Sequence, residues 1–124
     1  MPETQVVFFR SESGKVPVLD ALERIAMRKD VRLAAKCRAK IERLAMLGHE
    51  LRRPDADYLD EGIHELRVIH RRRHLRVLYF FDGGIAVLSH IIRKEGRVPL
   101  KEIHRAVGNR VLYRHHPLNH TFEL

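Results

Sequence analysis

With 124 residues, 44% of them apolar, the chain has material for one packed domain. It holds neither an apolar run of about 18 residues nor a basic-then-apolar leader, so no membrane span or signal peptide is expected. The net charge of +8 is concentrated: residues 62–114 carry 12 Lys/Arg against 4 Asp/Glu, whereas residues 1–61 carry 12 against 11. Such a localised positive field favours nucleic acid as partner, ahead of an acidic membrane or an acidic protein, although a solubilising surface has the same balance. The single cysteine, Cys37, excludes an internal disulfide and fits a reducing, cytoplasmic setting.

In chain order, residues 5–10 (QVVFFR) read as a first strand and residues 11–15, with Gly14, as a turn. Pro17 suits a helix start, and Leu19, Leu22, Ile25 and Ala26 recur at helical spacing to about Met27. Asp30 is positioned to cap a second helix, lined by Ala34, Cys37, Ile41, Leu44 and Ala45 and ended by Gly48. The short link predicts an antiparallel helical pair. Residues 51–61 (LRRPDADYLDE) read as an acidic loop.

Residues 63–70, 74–82 and 85–92 alternate as three strands. A two-residue turn within Asp82-Gly83-Gly84 puts Val77 and Tyr79 on one face with Leu88 and His90. If Arg71-Arg72-Arg73 forms a three-residue loop, Arg67 joins that face; an even loop sends it to the other. The expectation is an apolar face of Leu66, Val68, Leu78, Phe80, Val87 and Ile91 under the helices. Arg67, Tyr79 and His90 then project from the opposite face among Val77, Leu88 and Ile92. Pro99 opens a third helix with Ile103, Ala106, Val107 and Val111 inward. Residues 1–114 form one domain in this reading, and residues 115–124 are a tail, either frayed or docked as an extended arm.

Neither GxxxxGK[ST] nor GxGxxG is present. His70 and His74 straddle a strand turn, and no CxxC or HExxH accompanies them or His115-His116, so no metal and no cofactor is expected. Cys37, on the apolar side of its helix, reads as a spectator. There remains a cluster in which Arg67, Arg93, Lys94 and Arg97 crowd one end of the sheet near His90 and Tyr79. Cations of this kind grip a phosphodiester and neutralise charge developing on it. Histidine carries protons, and RNA brings its own 2′-hydroxyl nucleophile, so metal-free RNA cleavage needs only a base, an acid and cations. Plainer readings stand beside this: Arg67 in a salt bridge with Glu65, Tyr79 in the core, and His90 as a hydrogen-bonded core histidine.

The strings Gly62-Ile63-His64-Glu65-Leu66-Arg67, Leu75-Arg76-Val77-Leu78-Tyr79-Phe80 and Val87-Leu88-Ser89-His90, followed by Arg93-Lys94 and Pro99, carry a family likeness. Over about residues 5–114 the chain resembles the phage-derived, HigB-like branch of the RelE/ParE toxin superfamily. The resemblance implies an α+β, RelE-like fold: a small, mostly antiparallel sheet with an N-terminal helical hairpin on one face and a C-terminal helix. It further implies the toxin of a type II toxin–antitoxin pair, a ribosome-dependent messenger RNA endonuclease that works without metal through 2′-hydroxyl attack. The implied partners are a helix-turn-helix antitoxin, the ribosome and its message, with operator DNA reached only through the antitoxin. By the same resemblance Arg67 stabilises the scissile phosphate, Arg93, Lys94 and Arg97 form a basic phosphate-binding and catalytic segment, and His90 relays a proton. Arg71, Arg72, Arg73, Arg76 and Tyr79 complete the RNA-contact candidates, Arg76 and Tyr79 at positions that are mostly structural in the family. Residues 91–99 read IIRKEGRVP where the family has a glycine-aromatic pair, two lysines and threonines. Arg93 keeps the charge but cannot act as a base, and Glu95 adds a carboxylate, so an attenuated toxin is one outcome. The alternatives are a ParE-like gyrase inhibitor without nuclease activity and a non-catalytic nucleic-acid-binding module.

Overall fold

The computed structural model describes residues 4–124. The elements run β1 (Gln5–Phe9), α1 (Pro17–Met27), α2 (Val31–Leu47), β2 (Ala56–Asp60), β3 (Ile63–His70), β4 (Arg73–Asp82), β5 (Ile85–Arg93), α3 (Leu100–His115) and β6 (Thr121–Phe122). The six strands form one sheet in the order β2-β3-β4-β5-β1-β6. All its pairs are antiparallel except β1 with β5. This is an α+β, RelE-like architecture, with α1 and α2 on one face and α3 on the other.

The hairpin forms where the sequence places it. Pro17 occupies the first turn of α1, and Gly48, at φ +55°, closes α2. Asp30 stands at the N-cap of α2, but its carboxylate pairs with Arg73 instead of a backbone N–H. Leu22, Leu33, Cys37 and Leu44 pack with Leu66, Val68, Val77, Tyr79 and Leu88 into the larger core. Burial pushes the Cys37 thiol up to about 12, which leaves it an inert core side chain.

Two local features reassign the faces. First, Arg71-Arg72 is a two-residue turn with Arg71 at φ +58°, so Arg67 lies opposite Arg76, not Val77. Second, the register between β4 and β5 slips at Ser89: Tyr79 faces Leu88, but Leu78 faces His90. Arg67 and His90 therefore both lie on the face opposite to Tyr79, and they still share one. Leu78, Phe80 and Val87 join that face too, in a second core with Ile103, Ala106 and Tyr113 of α3. Both faces of the sheet are thus covered, where one apolar face was expected.

Further differences are local. Residues 56–60 form an edge strand within the expected loop, pairing only with β3. Val111 is half exposed, and Tyr113 takes the inward place beside Phe80. The tail docks: β6 pairs with β1, and His120 stacks on Phe9 with its Nδ1–H donating to the Arg10 carbonyl at 2.7 Å.

Candidate functional site

A buried carboxylate organises the open end of the α3 face. Glu65, on β3, is 3% exposed and opposes Leu78, one step from the Arg67–Arg76 pair. Its Oε1 accepts from Arg76 Nη1 at 2.7 Å, and its Oε2 lies 3.6 Å from Arg67 Nε. Arg76, itself 6% exposed, also donates from Nε to the Lys94 carbonyl at 3.3 Å and from Nη2 to the Gly96 carbonyl at 3.1 Å. The Lys94 N–H in turn donates to the His74 carbonyl at 3.2 Å. The segment after β5 is thereby tied to β4, and its exposed side chains Lys94 and Arg97 have a fixed base. All three guanidinium nitrogens of Arg76 are engaged in this way, which corrects its expected exposed position: its guanidinium is buried and holds Glu65 and the loop.

Arg67 keeps about a third of its side chain exposed beside this anchor. His74 lies on the same face, two residues from Arg76 on β4, and is 23% exposed, with Nε2 3.9 Å from Glu95. Residues at such diagonal positions stand roughly 7–8 Å apart, within reach of one phosphodiester. Spacing alone offers His74 as half of a weak zinc pair or as an ordinary polar residue; the parity of the Arg71-Arg72 turn brings it to the face of Arg67. Arg71 and Arg72 are exposed at the tip of the same end.

His90 is a different case. Its ring is 1% exposed. Asn109 Nδ2 donates to Ser89 Oγ at 2.9 Å, Ser89 Oγ lies 2.8 Å from His90 Nδ1, and His90 Nε2 lies 3.1 Å from Glu102 Oε1. A neutral imidazole protonated on Nε2 satisfies every link: Ser89 donates to Nδ1, and Nε2–H donates to the carboxylate. Burial, helped by Arg105, holds His90 down to about 4 against the opposing pull of Glu102. The ring borders a cavity between α1 and α3, yet both its nitrogens are engaged. This corrects the expected position of His90: it is a buried, hydrogen-bonded histidine that pins α3 to β5, not a ring projecting from an open face.

Tyr79 is also displaced from the expected site. It lies buried on the hairpin face, on the other side of the sheet from Arg67, and burial pushes its phenol well above the ordinary range. Arg93 opposes Leu75 and lines a cavity of about 390 Å³ on the hairpin side, with Arg24, Arg28 and Arg73 above Ile25 and Ile91. Arg73 is paired there with Asp30. Arg93 and Arg73 thus leave the expected cluster for the opposite face, because alternation at the strand ends points them there. Arg67 and His74 remain on one face of the sheet, beside the Lys94–Arg97 segment that Arg76 ties to β4.

Residues 18–110 match the family model described as phage derived protein Gp49-like (DUF891). No curated protein matches the chain.

Proposed function

The chain belongs to the phage-derived Gp49-like family, a family of RelE-like toxin-type proteins, and from that premise we propose that it is the HigB-like toxin of a type II toxin–antitoxin pair, acting as a ribosome-dependent messenger RNA endonuclease. The observation that carries this reading is the Glu65–Arg76 anchor. It positions Arg67 and ties the Lys94–Arg97 segment to the strand that carries His74 on the same face. Arg67 neutralises charge developing on the scissile phosphate, Lys94 and Arg97 grip the flanking phosphates, and the His74 imidazole exchanges the proton. The 2′-oxygen of the message, its proton passing to the imidazole, bonds to the phosphorus while the bond to the 5′-oxygen breaks; a 2′,3′-cyclic phosphate remains and the 5′-oxygen leaves with a proton from water. A helix-turn-helix antitoxin silences the toxin by covering this end of the sheet and carries it to operator DNA.

The burial of His90 favours a second reading, a ParE-like gyrase inhibitor that keeps the fold without the nuclease. Primer extension on ribosome-bound message separates the two. Cleavage that survives a transition-metal chelator with magnesium in excess supports the nuclease. An intact message together with inhibited supercoiling supports the gyrase reading and removes the first.

A further inference from the structure

At the other end of the sheet, on the hairpin side, five ring side chains gather at one spot. His49 stacks on Phe81 with ring centroids 3.6 Å apart. His64 stacks on Tyr79 at 5.2 Å and meets Tyr58 and Phe81 edge-on at 5.1 and 5.2 Å. These five rings line a cavity of about 430 Å³, with Arg52 also on its wall.

Three features distinguish the cavity from the edge of an ordinary core. The Tyr79 ring is buried, yet among the described residues its hydroxyl takes part in no hydrogen bond. No sealed polar side-chain atom among those residues lacks a partner, so this hydroxyl is not fully sealed, and Tyr79 lines the cavity. Tyr58 is 54% exposed and still held in place, because its hydroxyl accepts from the Gly62 N–H at 2.9 Å. Burial and the neighbouring His49 push His64 below its ordinary value, and a neutral imidazole offers both a donor and an acceptor. Arg53 is engaged by Asp57 at 2.7 Å, whereas Arg52 is exposed and unpaired among the described residues.

We propose that this cavity is a nucleotide-binding site, separate from the Arg67 surface: a planar base stacks on the exposed Tyr58 ring, its edge meets the His64 imidazole and the Tyr79 hydroxyl, and its phosphate meets Arg52. Ring walls favour a flat π-system, the open hydroxyl and imidazole read a heterocycle's polar edge, and the guanidinium selects an anion beside it. The same chemistry is offered by a free mononucleotide and by an unpaired residue of an RNA strand.

The test is titration of the whole chain with each of the four ribonucleoside monophosphates, and with a short single-stranded RNA made uncleavable by 2′-O-methylation. Nuclear magnetic resonance of the Tyr58 and His64 rings reports binding. Ring shifts with saturation are expected. Tyr58→Ala should weaken binding roughly five- to a hundredfold, and Arg52→Ala by a smaller factor. Tyr79→Phe removes only the hydroxyl and should change the ranking of the four bases with the melting temperature retained. Tighter binding of the mononucleotides identifies a free ligand, and tighter binding of the oligonucleotide identifies a strand; either result upholds the site. Unshifted rings at millimolar concentrations of every probe, or binding unaffected by Tyr58→Ala with Arg52→Ala, overturns it. No cleavage is read, so this outcome is independent of the nuclease reading.

Discussion

Beneath the helical hairpin, Leu66, Val68, Val77 and Leu88 meet Leu22, Leu33, Cys37 and Leu44, and the contact is almost wholly apolar. Beneath α3, the same sheet buries Glu65, Arg76, Ser89 and His90 among Leu78, Phe80 and Val87. Burial of area holds the first face, which tolerates swaps that conserve volume. The second depends on partners, because a buried polar group that loses its mate keeps the full desolvation cost. The partnered groups also do what an apolar core cannot: they aim exposed side chains, Arg67 through Glu65 and the Lys94–Arg97 segment through Arg76.

The largest effect on stability should come from splitting the buried pair. Arg76→Ala strands Glu65 and is expected to cost about 3–5 kcal/mol, measured by urea unfolding. The double variant Glu65→Leu with Arg76→Met should recover most of that loss, yet lose RNA cleavage because the segment after β5 is no longer anchored. Recovery of both would reduce the pair to packing. On the hairpin face, Leu66→Ala should cost about 3 kcal/mol with no effect on cleavage by the fraction that remains folded.

A smaller effect follows from His90. The unfolded chain takes up a proton near the ordinary histidine value of 6.5, which the folded chain refuses until about 4. The stability from this site is therefore complete above pH 6.5 and is lost as the pH falls toward 4, by roughly 2 kcal/mol between pH 7 and pH 5. Unfolding curves at the two pH values measure it, and His90→Gln should flatten the slope. Smallest in stability is Arg67→Ala, within about 1 kcal/mol because its ion pair is partly exposed. Its cleavage rate should nonetheless fall on the order of a hundredfold.

Helices and the three long strands are legible from spacing, and the family likeness is carried by the residue strings between Gly62 and Pro99. Three things are not legible. The edge strand Ala56–Asp60 hides behind Pro54 and its own carboxylates, because it pairs on one side only and turns Tyr58 and Asp60 to solvent. The parity of the Arg71-Arg72 turn rests on one residue taking φ +58°, which a run of arginines does not announce. The extra residue at Ser89 reverses the face of His90 and is paid back by the Ser89–Asn109 hydrogen bond, a contact twenty positions away in the chain. The last two shifts act in the same direction. Arg67 and His90 consequently stay together, while Tyr79 and Arg93 leave them and His74 takes up the exposed position.

The central claim, that an exposed imidazole and not the buried one serves the Arg67 surface, meets its most direct test in cleavage of ribosome-bound message at pH 7.5 by the native chain, His74→Ala and His90→Gln, each confirmed as folded. The account predicts cleavage by the native chain, a loss on the order of a hundredfold or more for His74→Ala, and a His90→Gln rate within about tenfold of native. Native-like cleavage by His74→Ala, or a folded His90→Gln that leaves the message intact, would contradict it.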